Sequence, residues 1–358
     1  MTISLYGTTE LILVQQRLAD LPDGFFRNLC TRVITSDREE VMFEKLDIDN
    51  RKLAPFVSPN VQGRVMRGQG YSAQSLRPAY VKPKHVVDPT KAIPRRFGEP
   101  LLGGQSLQQR FDAATVNNLR LEREAIDRRI DWLAARAIID GMVTVVGQDY
   151  PSRTVDFGRN SDLTITLTAD ARWTEVATAD PLQDLADAVD ASFPLGNAPI
   201  TDIVFGTNAW KFFIKNEAVL DLLNTQKRGS TSEFSRTVLN GNSNYQSMGF
   251  IDGGNGRFNL WRYSNWYSDV DEATGLLTVQ QFLDPNVVCG YGPAIDGIQL
   301  FGAILDVDAG FVAQADYFPK QWKENDPSVV YTMTQSAPLV AVTNPDNTFK
   351  ITVTDQAP

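Results

Sequence analysis

The sequence predicts an α+β fold, on three observations. Helical and strand periodicities interleave along the chain without regular βα alternation. One stretch, capped at its start, carries a helical stripe much longer than an ordinary helix. A Pro-dense segment just before it forbids both a long helix and a central strand. The 358 residues suit about two domains. A chain of that length needs no disulfide or metal staple, because it can bury about three-quarters of its unfolded surface.

The elements follow in order. Leu11, Val14 and Leu18 give a short helical piece over 8–18, which breaks at Leu21-Pro22-Asp23-Gly24. Val41–Leu46 reads as a short strand. Residues 51–100 carry Pro55, Pro59, Pro78, Pro83, Pro89, Pro94 and Pro100, so they should be extended and projecting. Ser106 followed by Gln109 is a capping box. Phe111, Leu119, Ile126, Ile130, Leu133 and Ala137 then fall on one stripe beside Trp132, with Arg120–Glu124 and Glu124–Arg128 as i,i+4 pairs on the wet side. Gly141 stops that helix. From Leu107 to Asp140 it spans about 51 Å at 1.5 Å per residue.

Residues 143–168 read as strands, with Leu163, Ile165 and Leu167 alternating with threonines. Asp180-Pro181 opens a helix whose inner stripe is Leu182, Leu185, Val189 and Phe193. Thr201–Gly206 is a strand, Thr207 caps a helix through Phe213, and Glu217–Leu223 is a further helical piece. The Gly-, Ser- and Asn-rich residues 224–260 read as loop, and 258–288 and 297–306 as strands. Leu339–Val342 and Phe349–Val353 read as a closing hairpin around Asn344-Pro345-Asp346-Asn347.

Composition excludes several functions. The single histidine, His85, excludes HExxH zinc sites and obliges any Ser-His-Asp or Cys-His scheme to use it. Cys30 and Cys289 lack CxxC spacing and read as reduced, buried side chains. Gly68-Gln69-Gly70 and Gly253-Gly254-Asn255-Gly256 match neither a P-loop nor a dinucleotide fingerprint. No apolar run approaches the length of a membrane span, so a soluble chain made in a cytosol is expected. No cofactor, metal site or catalytic residue is expected. The carboxylate groups Asp269/Asp271/Glu272, Asp306/Asp308 and Asp47/Asp49 leave a carboxylate-based hydrolase as an alternative from another class.

Charge is the anomaly. The chain carries −9 overall, yet Arg51–Arg96 holds ten cations against Asp88 alone, a balance of +9. Residues 261–316 hold Arg262 against eight acids, including Asp269, Asp271 and Glu272, a balance of −7. Aromatics are sparse in the basic segment, which disfavours stacking on bases. A basic projection laid on the acidic face of another copy satisfies both halves, because complementary charge fixes partner and register.

Several stretches then resemble one family. They are Lys52-Leu53-Ala54-Pro55-Phe56-Val57; Arg77-Pro78-Ala79-Tyr80-Val81-Lys82-Pro83-Lys84; Arg95-Arg96-Phe97-Gly98-Glu99; Ile126–Ala135; Val155-Asp156-Phe157-Gly158-Arg159; Tyr317-Phe318-Pro319-Lys320 with Trp322 and Asp326-Pro327; and Gln335-Ser336-Ala337-Pro338-Leu339. In this order and spacing, the chain resembles the lambda-like protein E family of tailed-bacteriophage major capsid proteins, with the HK97-like capsid fold. The resemblance implies an N-terminal arm over 1–52 and an extended E-loop hairpin over 53–100. It implies a peripheral domain over 101–175 with a spine helix at 107–140, an axial domain over 176–300, and a return to the peripheral domain over 301–358. It implies pentamers and hexamers in an icosahedral shell around packaged double-stranded DNA. A portal, a separate scaffold protein and a decoration protein would be partners, with no membrane involved. Intersubunit E-loop contacts fall to Arg64, Arg67, Arg77, Lys82, Lys84 and Lys91, although no motif marks the lysines for covalent crosslinking. An encapsulin-like compartment shares the fold and is a second alternative.

Overall fold

The computed structural model describes residues 5–18, 24–46, 53–54, 56–60, 62–63, 71–87, 106–147, 150–220, 244–252, 256–270, 275–326 and 328–355. Among the described residues the helices include α1 (Thr8–Arg17), α2 (Leu107–Ile139), α3 (Pro181–Gly196) and α4 (Thr207–Phe213). The first strands are β1 (Arg32–Thr35), β2 (Val41–Leu46), β3 (Tyr71–Leu76), β4 (Lys84–Val87), β5 (Met142–Gly147), β6 (Tyr150–Asp156) and β7 (Thr164–Thr166). They continue as β8 (Asp202–Phe205), β9 (Tyr245–Asp252), β10 (Arg257–Tyr263), β11 (Trp266–Val270), β12 (Leu277–Gln281) and β13 (Val287–Tyr291). The last are β14 (Gly297–Phe301), β15 (Phe318–Glu324), β16 (Val329–Gln335), β17 (Pro338–Val342) and β18 (Thr348–Thr352). Two compact units result, one of residues 1–41, 77–134 and 298–340, the other of 42–76, 135–297 and 341–358.

In the first unit α2 is the organising element. Its capping box forms as the sequence requires: the Gln109 amide donates to Ser106 Oγ at 3.2 Å, and the Ser106 amide donates to Gln109 Oε1 at 2.9 Å. Phe111, Leu119, Ile126, Ile130 and Leu133 are all buried on its inner stripe. Burial of each contributes about 1.5–3 kcal/mol. Outside, Arg120 pairs with Glu124 at 2.9 Å. A three-stranded sheet in the order β15-β16-β4 belongs to the same unit. β15 and β16 form an antiparallel hairpin that the sequence reading left unassigned, and β4 adds on its edge, with His85 opposite Thr332.

The second unit is built on a six-stranded mixed sheet in the order β7-β18-β13-β8-β10-β9. α3 and α4 supply Leu185, Val189, Trp210 and Phe213 to its core. Phe205 sits 4.8 Å from the Phe213 ring and 5.3 Å from Trp210. α3 begins as expected, with Asp180 Oδ1 accepting from the Gln183 amide at 3.2 Å and Pro181 at the first position. The last residues of α2 also belong here, and the helix stops at Ile139, one residue before Asp140. Gly141 follows at φ +69°, and Arg159 Nη1 donates to the Ile139 carbonyl at 2.9 Å, satisfying a helix end.

Six local readings are corrected. The closing hairpin does not form: β17 joins the sheet β1-β14-β17, while β18 pairs with β13 and β7. The turn between them is a 3-10 helix, Pro345–Asn347, tied down by its own amides. Asn344 Nδ2 donates to the Gly196 carbonyl, and Asn347 Nδ2 to that of Ala198, each at 2.9 Å. Tyr245–Asp252, read as loop, is the edge strand β9, whose antiparallel register with β10 outweighs its polar composition. Gly206, and not Thr207, is the N-cap of α4, and no side chain caps it; a Cβ there would lie 2.3 Å from the Asp284 carbonyl. Phe193 is half-exposed, so Leu185, Ala188, Val189 and Ser192 carry the inner face of α3. The strand expected over 297–306 ends at Phe301, and Leu163 lies in a 3-10 turn, not a strand.

Candidate functional site

The inner face of α2 carries acids as well as apolar side chains. Glu122, Asp127 and Asp131 are all buried. Glu122 takes hydrogen bonds from Thr332 Oγ1 at 2.8 Å and Thr334 Oγ1 at 2.7 Å, and lies 3.3 Å from His85 Nδ1. Burial pushes its carboxyl up, and the two hydroxyls and the imidazole only partly reverse this, leaving it above the ordinary glutamate value. The partner of His85 is thus a buried carboxyl, and the pair joins β4 to the helix.

Asp127 receives Arg27 Nη1 at 2.9 Å and the Tyr317 hydroxyl. Asp131 accepts from the Arg27 amide at 2.8 Å. Burial and the Asp127 charge both raise the Tyr317 phenol. Asp306 binds Lys320 at 2.6 Å and takes the Gln335 amide. Burial alone would raise Asp306, but Lys320, the Asp308 amide and Gln335 hold it below the ordinary aspartate value. Asp306 is therefore a tethered group, with its neighbours supplied by β15 and β16. The sequence reading missed both buried polar clusters, Glu122 with its threonines and Asp127 with Tyr317. The one signal available was acids recurring on the apolar side of the helical wheel.

The basic segment is placed in part. Arg64, Arg67 and Lys91 lie outside the described residues. Arg77 pairs with Glu39 of its own chain at 2.6 Å and stays exposed. Lys82 sits 4.8 Å from the Tyr80 ring. Lys84 sits 3.6 Å from Tyr331 and 5.0 Å from Trp322. On the acidic side, Asp269 is half-buried on β11, and Asp271 and Glu272 lie outside the described residues. Of the helix residues, Ile126 and Ile130 are fully buried, while Trp132 is partly exposed with the Arg129 guanidinium 5.4 Å from its ring. Cys30 and Cys289 are both buried and free, and burial pushes each thiol up to about 12. Among the described residues, no helix is long and apolar enough to cross a membrane. The arrangement offers extended basic strands, a rigid helix and anchored carboxylates, which suit holding a surface in place.

Residues 7–353 match the family model described as phage major capsid protein E. The chain belongs to that family. The major capsid protein of Escherichia phage lambda is 30% identical over 351 residues, spanning 96% of this chain and 98% of the lambda protein. The major capsid protein of Enterobacteria phage P21 is 30% identical over 358 residues, with the same shares of each chain. Among solved structures, a prophage capsid protein of Escherichia coli CFT073 superposes with a TM-score of 0.69 at 22% identity, covering 97% of this chain and 99% of that one. The chain thus has the HK97-like capsid fold and is a tailed-phage major capsid protein, a structural component of the virion.

Proposed function

We propose that the chain assembles as pentamers and hexamers into the icosahedral head shell of a tailed phage, enclosing packaged double-stranded DNA without sequence-specific binding. The observation that carries this reading is the family match over almost the whole chain. The relatives' names, which speak of phage heads and capsids, favour a phage shell over a cargo compartment. In this reading residues 1–52 are the N-terminal arm and 53–100 the E-loop. Residues 101–175 with 301–358 form the peripheral domain, and 176–300 the axial domain. The chain does no catalysis and takes no cofactor. A scaffold protein and a portal act during assembly in the host cytoplasm, and a decoration protein joins the finished shell.

Charge supplies the docking rule. The +9 segment, through Arg64, Arg67, Arg77, Lys82, Lys84 and Lys91, lies on the acidic face of a neighbour around Asp269, Asp271 and Glu272. The acidic remainder keeps the inner wall from gripping DNA, because clustered Lys and Arg would hold phosphate tightly. The test is Arg64→Glu with Arg67→Glu, produced in the native lysate. Folded soluble chain with few or no shells, by sedimentation and negative-stain microscopy, is expected. Normal shells from that variant would refute electrostatic docking.

A further inference from the structure

The β11–β12 hairpin is patterned in reverse for a surface hairpin. Its register sets Trp266 opposite Gln281, Ser268 opposite Val279 and Val270 opposite Leu277, so these six residues share one face. On that face Trp266 is 56% exposed, Val270 55%, Leu277 68% and Val279 65%. The other face is the anchored one. Tyr267 is buried, its ring meets Phe282 edge-on at 5.0 Å, and its hydroxyl donates to Gln280 at 2.7 Å. The apolar stripe therefore points away from its own core. A two-stranded hairpin has little stability of its own, and a contiguous exposed apolar patch marks an interaction site.

The chemistry of the hairpin restricts what covers it. From Trp266 to Gln281 the chain carries three acids and no cation. A matching surface must bring apolar side chains beside positive charge. One segment of this same chain has both: Arg51-Lys52-Leu53-Ala54-Pro55-Phe56-Val57. Leu53 is 92% exposed and Phe56 107%, so their own chain gives them almost no cover.

We propose that, in the shell, the exposed face of the β11–β12 hairpin is covered by residues 53–57 of a second copy. This deepens the docking rule and rests on the shell reading: the apolar contact supplies the dry centre, and the opposite net charges of the two segments favour the pairing around it. Two different surfaces meet, so the contact is head-to-tail, the kind that closes rings.

Two single variants, Phe56→Cys and Val279→Cys, test it when co-assembled in one lysate and oxidised. The native thiols are buried and do not compete. Disulfide-linked dimers that appear only in the mixture are expected. Mixed shells without such dimers would overturn the named occupant. Leu277→Ser with Val279→Ser is the second arm, expected to cut shell yield at least tenfold while the soluble chain keeps its far-UV spectrum. Wild-type shell yield from that variant would overturn the interface itself. A wild-type chain that forms no shells would instead refute the shell reading, so the two failures are distinguishable.

Discussion

Glu122 is a carboxyl with no exposed surface, held by two threonine hydroxyls and faced by His85. Burial sets its pKa above the ordinary glutamate value, so the folded chain binds this proton more tightly than the unfolded chain does. The resulting stabilisation is complete below the unfolded value of about 4.3 and is lost as pH rises through the folded value. Once ionised, the buried group is a net cost. Glu122→Gln is therefore expected to match or exceed wild-type stability near neutrality and to flatten the stability–pH curve just above about pH 4.3. Urea titrations at several pH values measure this. Glu122→Ala is expected to lose about 2–3 kcal/mol, because Thr332 and Thr334 lose their buried acceptor. Equal losses in the two variants would mean that the negative charge itself holds the sheet to the helix.

At the scale of elements, close packing sets the terms. Gly290 of β13 stands opposite Phe349 of β18, whose ring is fully buried over it. A Cβ at Gly290 would lie 2.1 Å from that ring. Gly290→Ala must displace Phe349 from the centre of the six-stranded sheet, and a loss of about 3 kcal/mol is expected. Ser106→Ala, which removes only one exposed cap of α2, is expected to cost about 1 kcal/mol. Denaturant midpoints of the soluble chain compare the two, and equal losses would show that the ring moves aside freely. The same contrast explains what the sequence made legible. Ser106 with Gln109, the stripe from Phe111 to Leu133, and Asp180-Pro181 are signals complete within a few residues, and each formed. The closing hairpin was misread because Asn344 and Asn347 bind carbonyls at Gly196 and Ala198, about 150 positions away and invisible to local pattern. Glu122 was missed for the same reason, since its hydroxyl donors are 210 and 212 positions along the chain. The basic and acidic halves of the candidate docking surface were legible as bare charge counts. The apolar face of β11–β12 needed the register, because Trp266, Val270, Leu277 and Val279 become one stripe only when the strands are paired.

For the whole molecule, the docking contact combines two forces that respond to different conditions. Its charged part, +9 against −7, is a surface interaction and is screened by salt. The screening length falls from about 10 Å at 0.1 M to about 3 Å at 1 M. Its apolar part, Leu53 and Phe56 on the hairpin face, weakens on cooling and hardly responds to simple salt. Shell assembly followed by light scattering is therefore expected to slow as sodium chloride rises from about 0.1 M to 1 M. The slowing belongs mainly to encounter, because complementary charge speeds approach more than it tightens the final contact. Shells already formed should then survive the same salt, with the apolar centre sealed, and loosen on chilling before they loosen in salt. An assembly rate indifferent to salt would remove the charged part and leave the hairpin contact standing. Shells that dissolve in salt yet tolerate cold would assign the cohesion to charge and deny the apolar stripe its role.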